Sequence, residues 1–357
     1  MRVLVDIGHP AHVHYFKNLA NEIQKKGGEV LFTSRNKEIS EYLLRFYKFN
    51  FISFGKPFRT LPGKILGLIY YTFRLIWEAV RFHPDFFLNA TPYSAIAAWL
   101  LRKPHFSIED TFNMEQVRIY RPFTSVIFTS DYEHHPDLGR KEIKIRAYNE
   151  TLYLHKNYFK PDPDSLKILN LKEGDVFSII RFVGWTATHD YGQTGISEAN
   201  KIKVVEEFEK FGKVFISAES NLPEKLEKYR IKLPYEKMHD VLYYSSLIYG
   251  EGATMAAEGV LLGTPTIYLS SNIMYLTIHH AQKGKKIYNY NLKDKGQSES
   301  IEKGKDILRQ SNGIKKIQIP DDEFNIDFTK LLLWAMEEYP NSIKVLHSNP
   351  DFQNEFR

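Results

Sequence analysis

Three histidines stand close together near the amino terminus, in the segment Asp6-Ile-Gly-His-Pro-Ala-His-Val-His. Imidazole titrates near neutral pH, so His9 or His12 could act as a general base. Gly8 lets a ligand approach the backbone closely, and the helix that follows offers unpaired amides. The same histidines could instead cap that helix or pack against neighbouring rings. Their spacing matches no familiar metal site, and we expect none here.

A second segment has the residue types that bind a diphosphate. In Gly250-Glu-Gly-Ala-Thr-Met-Ala-Ala-Glu a short apolar run leads into small residues and then a helix, with Leu262-Gly-Thr-Pro beyond it. Small residues let phosphates reach a helix amino terminus, where unpaired amides and the helix dipole favour negative charge. A glutamate one turn further on could accept both hydroxyls of a ribose. The residues expected at the nucleotide are Gly252, Ala253, Thr254, Met255 and Glu258.

That pattern also has a plain interpretation, a tight strand-to-helix turn with a solvated glutamate. Two further segments favour the nucleotide. Arg181 follows an apolar run and could pair with phosphate, and His189 in the same loop could act on the sugar or bind phosphate. His239 precedes a helix, close to where the base or diphosphate is expected. The alternatives are a surface cation for Arg181 and a helix cap for His239.

Paired acids close another predicted strand. Glu109 and Asp110 end an apolar run, and Glu115 lies shortly beyond them. Carboxylates at the carboxyl edge of a sheet can serve as base and acid, and we place Glu109 among the candidate catalytic residues. Equally, these acids could cap the segment that follows.

The elements that must position these residues alternate between strand and helix. A parallel sheet is predicted by such βαβ repeats, and ligands bind such sheets at the carboxyl ends of the strands. The predicted strands are 3–7, 29–33, 50–54, 85–88, 105–108, 125–129, 176–180, 213–217, 247–250 and 266–269. A proline-rich stretch at 158–163 interrupts the pattern. We therefore expect an α/β protein with Rossmann-like domains at 1–158 and 159–325, and a final helix in 326–357 that crosses back to the first.

Composition narrows the class of protein. The chain has 357 residues, of which 43% are hydrophobic and 25% charged, and it has no cysteine. This balance indicates a globular protein and excludes disulfides, zinc-thiolate sites and cysteine nucleophiles. No secretory signal or membrane-spanning segment is evident, so we expect a cytoplasmic location. The net charge of +5 suits anionic ligands and is too diffuse to indicate nucleic acid.

One segment, 57–83, is long, apolar and aromatic, with basic residues interspersed. It could dock on the inner face of an anionic membrane and reach a lipid-linked acceptor there. A helix packed in the core, with its cations extended to solvent, would give the same composition.

Several of these segments, in this order, resemble a GT-B-like family, the domain of unknown function numbered 354. The resemblance covers nearly the whole chain. It depends on Asp6-Ile-Gly-His-Pro-Ala-His-Val-His-Tyr-Phe-Lys-Asn-Leu, Tyr153-Leu-His-Lys-Asn-Tyr-Phe-Lys-Pro-Asp, Arg181-Phe-Val-Gly-Trp with His189-Asp190, and Thr254-Met-Ala-Ala-Glu with Leu262-Gly-Thr-Pro. It implies two Rossmann-like doubly wound domains that face a cleft.

More distantly, the chain is similar to two other GT-B groups. In UDP-N-acetylglucosamine 2-epimerases, a histidine loop and a first-domain glutamate match His189 and Glu109, but those enzymes use an acid where this chain has Asn89. In glycosyltransferases that make lipid-linked cell-wall precursors, a glycine-histidine loop and a ribose-binding glutamate match Gly8 to His12 and Glu258. Fold alone does not determine function.

The sequence thus predicts a metal-independent glycosyltransferase that moves a sugar from a nucleotide sugar, with UDP favoured, to a surface-polysaccharide or glycolipid acceptor. The nucleotide sugar is a substrate, and no cofactor is expected. Two alternatives stay open at this point: a nucleotide-sugar 2-epimerase, and a non-catalytic nucleotide-sugar-binding subunit. No nucleic-acid partner is expected.

Overall fold

A computed structural model gives the fold. It describes residues 1–35, 38–55, 58, 61–133, 135–184, 195–271, 274–311 and 324–357, with only the backbone at 61, 62, 64 and 65. The chain divides into two compact units. The first comprises Met1–Asp131, His135–Phe159 and Asp321–Arg357, and the second comprises Tyr132–His134 and Lys160–Pro320.

The first unit is built on a seven-stranded parallel sheet with the order β3-β2-β1-β4-β5-β6-β7. Its strands are β1 (Arg2–Ile7), β2 (Glu29–Ser34), β3 (Phe51–Ser53), β4 (Phe86–Leu88), β5 (His105–Glu109), β6 (Val126–Ser130) and β7 (Glu142–Ile145). Its helices are α1 (Pro10–Lys25), α2 (Glu38–Phe46), α3 (Leu61–Phe82), α4 (Pro92–Leu100), α5 (Met114–Tyr120) and α6 (Thr151–Leu154). The carboxy-terminal helices of this unit are α13 (Phe328–Glu337) and α14 (Asn341–Ser348).

The second unit has a five-stranded parallel sheet with the order β12-β11-β10-β8-β9. Its strands are β8 (Phe177–Phe182), β9 (Lys213–Ala218), β10 (Leu247–Gly250), β11 (Thr266–Leu269) and β12 (Ile287–Tyr290). Its helices are α7 (Asp164–Ile168), α8 (Glu198–Glu209), α9 (Met238–Tyr244), α10 (Ala253–Leu261), α11 (Tyr275–Gln282) and α12 (Asp294–Gln310).

Burial explains why these segments form interior strands. Val3, Leu4 and Val5 of β1 are all buried, which is what a parallel strand covered by helices on both faces requires. Leu4 packs in one cluster with Leu75 of α3 and Ala97 of α4. In the second unit, helices α8 and α12 pack in one cluster against the sheet, with Phe208 and Ile301 among its buried residues.

In each unit the strand order reverses direction at one point. The loops that follow the two neighbouring strands at that point lead to opposite faces of the sheet. In the first unit this switch point lies between β1 and β4, and in the second between β8 and β10. Loops that leave adjacent strands diverge at such a point, so a crevice opens at the carboxyl edge. The predicted α/β class with two doubly wound parallel sheets is confirmed. Strands β7 and β12 were absent from the sequence prediction.

Candidate functional site

At the switch point of the first unit, a buried carboxylate joins three strand ends. Asp6, at the end of β1, is fully buried and accepts hydrogen bonds from Arg35 Nη1 at 2.9 and 3.2 Å. Thr33 Oγ1 of β2 and Thr91 Oγ1 after β4 donate to the same carboxylate, at 2.8 and 2.6 Å. Arg35 also donates to the carbonyl oxygen of Ile7 at 3.0 Å. We call these four side chains, of Asp6, Thr33, Arg35 and Thr91, the Asp6 cluster; it fixes the loop that leaves β1.

His12 lies in that loop with a defined ring orientation. Its Nδ1 accepts a hydrogen bond from the Gly8 amide at 3.3 Å and lies 2.7 Å from Asn89 Nδ2. The orientation of the Asn89 amide is fixed, because its nitrogen also donates to the Asp6 carbonyl oxygen and its oxygen accepts from the Ala90 amide. With Nδ1 as an acceptor, the neutral imidazole carries its proton on Nε2.

This tautomer bears on the predicted catalytic role of His12. The ring presents a donor at Nε2, whereas a general base there needs an unprotonated nitrogen. In this tautomer His12 is a candidate donor to a bound group, whereas its predicted role as a base, which stays a prediction, requires the other tautomer. His9 caps α1, because its Nδ1 accepts from the Ala11 amide at 3.2 Å, which is the alternative that the sequence left open. Gly8 is half-buried beside Arg35, Thr91 and His12.

The two acids at the end of β5 have different environments. Glu109 is buried, and its Oε1 accepts from the Thr111 amide, the Thr111 hydroxyl and the Phe112 amide at 2.8 to 3.1 Å. Its Oε2 accepts from the Tyr120 hydroxyl at 2.5 Å. Four donors thus hold this carboxylate in place and anchor the loop before α5. In this arrangement Glu109 anchors the segment that follows, which is the alternative that the sequence left open, and a catalytic role for it stays a prediction.

Asp110, the next residue, has a raised pKa. It is half-buried at the same edge of the sheet, and the Tyr15 hydroxyl of α1 donates to it at 2.9 Å. Burial and the neighbouring Glu109 carboxylate raise the pKa of Asp110 to about 6, against the lowering effect of the Tyr15 hydrogen bond. Tyr15 in turn packs against His12, with ring centroids 5.6 Å apart. A carboxyl with this pKa can exchange a proton near neutral pH.

At the switch point of the second unit, two backbones approach closely. Gly250, the last residue of β10, pairs with Arg181 near the end of β8 and has a φ of +148°. A Cβ atom at position 250 would lie 2.0 Å from the Arg181 carbonyl oxygen, so this position requires glycine. A Cβ at Gly252 would lie 2.9 Å from Arg181 Cγ. Small residues here bring the arginine stem against the start of α10.

The Arg181 guanidinium is held in place by its neighbours. Its Nη1 donates to Ser217 Oγ at 2.8 Å, and its Nη2 pairs with the half-exposed Glu219 carboxylate. The guanidinium side chain keeps 21% of its surface exposed. Arg181 is thus oriented at the carboxyl edge of the sheet with part of its side chain exposed, and its pairing with a phosphate stays a prediction.

The amino terminus of α10 lies beside this arginine. Gly252 is the N-cap residue and has no side chain with which to cap the helix. The first four amides of a helix have no acceptor within the helix. The residues concerned, Gly252, Ala253, Thr254 and Met255, are all half-exposed. Arg181 and these amides together form a positive surface suited to a diphosphate.

His239 and Glu258 meet one turn further along. Both side chains are buried, and His239 Nε2 lies 3.0 Å from Glu258 Oε1. His239 stands in the first turn of α9, whereas Glu258 belongs to the second turn of α10. The imidazole therefore orients the carboxylate that the sequence assigned to a ribose. His189, the remaining predicted catalytic residue, lies outside the described residues.

Three further residues that hold these sheet edges together were not singled out from the sequence. Asp6 and Arg35 are 29 positions apart and form the buried pair described above. Glu251 is buried and accepts from the Val183 amide at 3.0 Å and the Ile196 amide at 2.5 Å. These amides flank the segment 185–194, so Glu251 ties its two stems together. The signal for Glu251 was its place between two glycines at a strand end.

The described residues contain neither a metal-binding cluster nor a membrane-spanning helix. Within those ranges, no three His, Asp or Glu side chains converge as a bound metal ion would require. Over the same part of the chain, none of the helices has both the length and the hydrophobicity needed to cross a bilayer.

Comparisons with known proteins agree with this architecture. A family model described as "Protein of unknown function (DUF354)" matches residues 1–108, which confirms that resemblance over the amino-terminal segment. An uncharacterised protein of Methanocaldococcus jannaschii is 23% identical over 343 residues, which cover 90% of this chain and 95% of that protein.

Solved structures extend the likeness to both units. The UDP-GlcNAc 2-epimerase of Neisseria meningitidis, bound to UDP-GlcNAc, is similar with a TM-score of 0.71 and 13% identity, over 95% of this chain and 100% of that chain. The spinosyn forosaminyltransferase is similar with a TM-score of 0.59 and 13% identity, over 99% of each. Likeness at this identity shows the fold alone, a GT-B-like fold with two parallel-sheet α/β units.

Proposed function

We propose that the protein is a glycosyltransferase that takes its sugar from a nucleotide sugar, with a UDP-sugar as the favoured donor. One observation carries the proposal. In the second unit, four of the features offered for a nucleotide lie at or beside the β8–β10 switch point: Arg181, the start of α10, His239 and Glu258. Ligands of open α/β sheets bind at such points.

The diphosphate would lie against the half-exposed start of α10. Amides of Ala253 to Met255 and the Arg181 guanidinium would hydrogen-bond its oxygens. During transfer the bond between the anomeric carbon and the diphosphate breaks, and negative charge grows on the leaving oxygen. Donors fixed in advance stabilise that charge more than the charge of the substrate, which is how they lower the barrier. We propose that this makes a metal ion unnecessary.

The ribose would be held by Glu258. His239 occupies one side of that carboxylate at 3.0 Å and limits its rotation. A carboxylate oriented in this way accepts hydrogen bonds from ribose hydroxyls without first losing side-chain freedom. Glu251 would act indirectly, by fixing the stems of the segment that contains His189.

We assign activation of the acceptor to the first unit. Asp110, with its raised pKa, would take the proton of the acceptor hydroxyl, whose oxygen then bonds to the anomeric carbon as the nucleoside diphosphate leaves. His12 would donate from Nε2 to the acceptor or the sugar. The Asp6 cluster holds the His12 loop rigid, so this donor keeps its direction. A surface-polysaccharide or glycolipid acceptor and a cytoplasmic location belong to the same proposal.

A nucleotide-sugar 2-epimerase is the second candidate, and the fold shared with the UDP-GlcNAc 2-epimerase supports it. Asn89 argues against it. In those enzymes an acid is expected in this loop, whereas the Asn89 side chain is a buried amide whose nitrogen and oxygen both hydrogen-bond to the backbone. An amide held in this way cannot move a proton. A non-catalytic binding subunit would share the nucleotide site and lack turnover.

A two-stage experiment tests the proposal. Thermal-shift measurements with UDP, GDP, CMP, dTDP and their sugars first identify the donor. The protein is then incubated with the stabilising nucleotide sugar, with and without glycan and lipid-linked acceptors, and the products are analysed. Nucleotide release that depends on an acceptor supports the transferase. Interconversion of the sugar without an acceptor would instead establish the epimerase, and binding without any product would establish the subunit.

A further inference from the structure

The outer face of α3 carries large apolar side chains at helical spacing. Its members are between 42% and 69% exposed: Leu66, Ile69, Tyr70, Phe73, Trp77 and Val80. Steps of three or four residues keep them on one side of the helix, along a stripe about 21 Å long. We call this set the α3 stripe. Phe73 and Trp77 lie at its middle.

The fold does not need this stripe. The opposite face of α3 already fills the core, where Tyr71, Leu75 and Ala79 pack with Leu4 and Phe87 of the sheet. A helix packed on a sheet by one face normally presents polar residues on the other. Contiguous exposed apolar surface on a folded unit marks a place where something else binds.

Charge identifies the partner. Arg74 and Arg81 lie along one edge of the α3 stripe, with the Arg74 guanidinium 6.0 Å from the Tyr70 ring and that of Arg81 5.0 Å from the Trp77 ring. By sequence α3 contains three basic residues and one acidic residue, Glu78. Aromatic rings beside arginines, next to an aliphatic strip, are what the interface of an anionic bilayer favours.

We propose that the α3 stripe docks on an anionic membrane surface, with the helix lying in the plane of the interface. Docking there would bring the lipid surface near the Asp6 cluster. Tyr71, on the inner face of α3, packs 5.3 Å from the Tyr93 ring, and the Arg35 guanidinium lies 4.7 Å over Tyr93. This inference rests on the proposed function in one respect, that docking would bring the protein to a lipid-linked acceptor in the membrane. Vesicle binding itself requires no nucleotide or turnover, so the two can fail separately.

The test is co-sedimentation of the full chain with vesicles of phosphatidylcholine mixed with phosphatidylglycerol, beside vesicles of phosphatidylcholine alone. Phe73→Ser combined with Trp77→Ser removes the two central rings. Ile168→Ser combined with Tyr235→Ser, two exposed positions in the second unit, is the matched control. Arg74→Gln combined with Arg81→Gln removes the charge and keeps the apolar surface. Circular dichroism checks that each variant folds.

We expect binding to the phosphatidylglycerol vesicles that falls about tenfold or more for each ring removed, and is unchanged in the control. The arginine variant should lose about fivefold for each charge on these vesicles, with little change on neutral ones. Absence of vesicle binding by the natural chain overturns the proposal. A second result would also overturn it: the natural chain self-associates in light scattering, the Phe73 and Trp77 variant does not, and neither binds vesicles. The α3 stripe would then join two copies of the chain.

Discussion

The Asp6 cluster gives the sharpest prediction about stability. Arg35→Met removes the guanidinium and preserves much of the side-chain volume, but it leaves the Asp6 carboxylate fully buried. The carboxylate would lose both contacts with Arg35 and keep the hydroxyls of Thr33 and Thr91. Breaking one side of a buried ion pair costs about 3–5 kcal/mol. Because two hydroxyl donors remain, we expect the lower end, a loss of about 3 kcal/mol in the free energy of unfolding.

Urea denaturation followed by tryptophan fluorescence measures this loss. Trp77, Trp99 and Trp334 belong to the first unit, so the signal reports mainly on that unit. With a slope of about 2 kcal/mol per molar urea, the midpoint should fall by about 1.5 M. The double variant Asp6→Asn with Arg35→Met should be more stable than the sum of the single losses predicts, by about 1 kcal/mol or more. A midpoint within about 0.3 M of the natural chain for Arg35→Met would refute the buried pair.

The remaining predictions concern the two sites and the pH. Gly252→Ala should push the Arg181 stem aside and weaken nucleotide binding about tenfold. Gly184→Ala, where a Cβ meets nothing closer than 3.6 Å, should leave the affinity unchanged. Calorimetry measures both affinities, and equal values for the two variants would exclude the predicted contact. The transfer rate should fall below about pH 6 as Asp110 gains its proton. Tyr15→Phe should move this fall in rate about one pH unit higher, because the hydrogen bond that it removes stabilises the Asp110 carboxylate. A pH–rate profile unchanged by Asp110→Asn would disprove the role of Asp110 as the base. Burial lowers the pKa of His105 and His280 to about 3, so the unfolded chain binds their protons first as the pH falls below 6.5. The free energy of unfolding should then drop by about 1.4 kcal/mol per pH unit for each ring. His105→Gln should reduce this dependence on pH, measured by urea titrations at several pH values. An equal dependence in the variant and the natural chain would contradict the prediction.

Much of the architecture was predictable from the sequence. Runs of mostly apolar residues located β1 and β11 to within a residue, because strands covered on both faces are nearly continuous apolar runs. Strands β7 and β12 were missed for a related reason. Lys144 of β7 is exposed and three of the four residues of β12 are only half-buried, so neither segment has a continuous apolar run.

The roles of the candidate residues depended on contacts between distant parts of the chain. Sequence singled out Glu109 over Asp110, but four donors hold Glu109, and the contact between Asp110 and Tyr15 spans 95 positions. In the same way, the tautomer of His12 follows from Asn89, which lies 77 positions away. Segment 57–83 illustrates a third limit: composition offered core packing or membrane docking as alternatives, and α3 has one face suited to each.

The most direct test of the account is calorimetric titration of the purified chain and three variants with UDP. We predict that the natural chain binds, and that Glu258→Ala weakens binding by about 1–3 kcal/mol, or roughly tenfold to a hundredfold. Glu258→Gln, which can keep a contact with His239, should give a smaller loss. Glu224→Ala, at an exposed acid of the same unit, should bind as the natural chain does. Unchanged affinity in folded Glu258→Ala, or no binding of UDP or any other nucleoside diphosphate by the natural chain, would contradict the nucleotide site at the β8–β10 switch point.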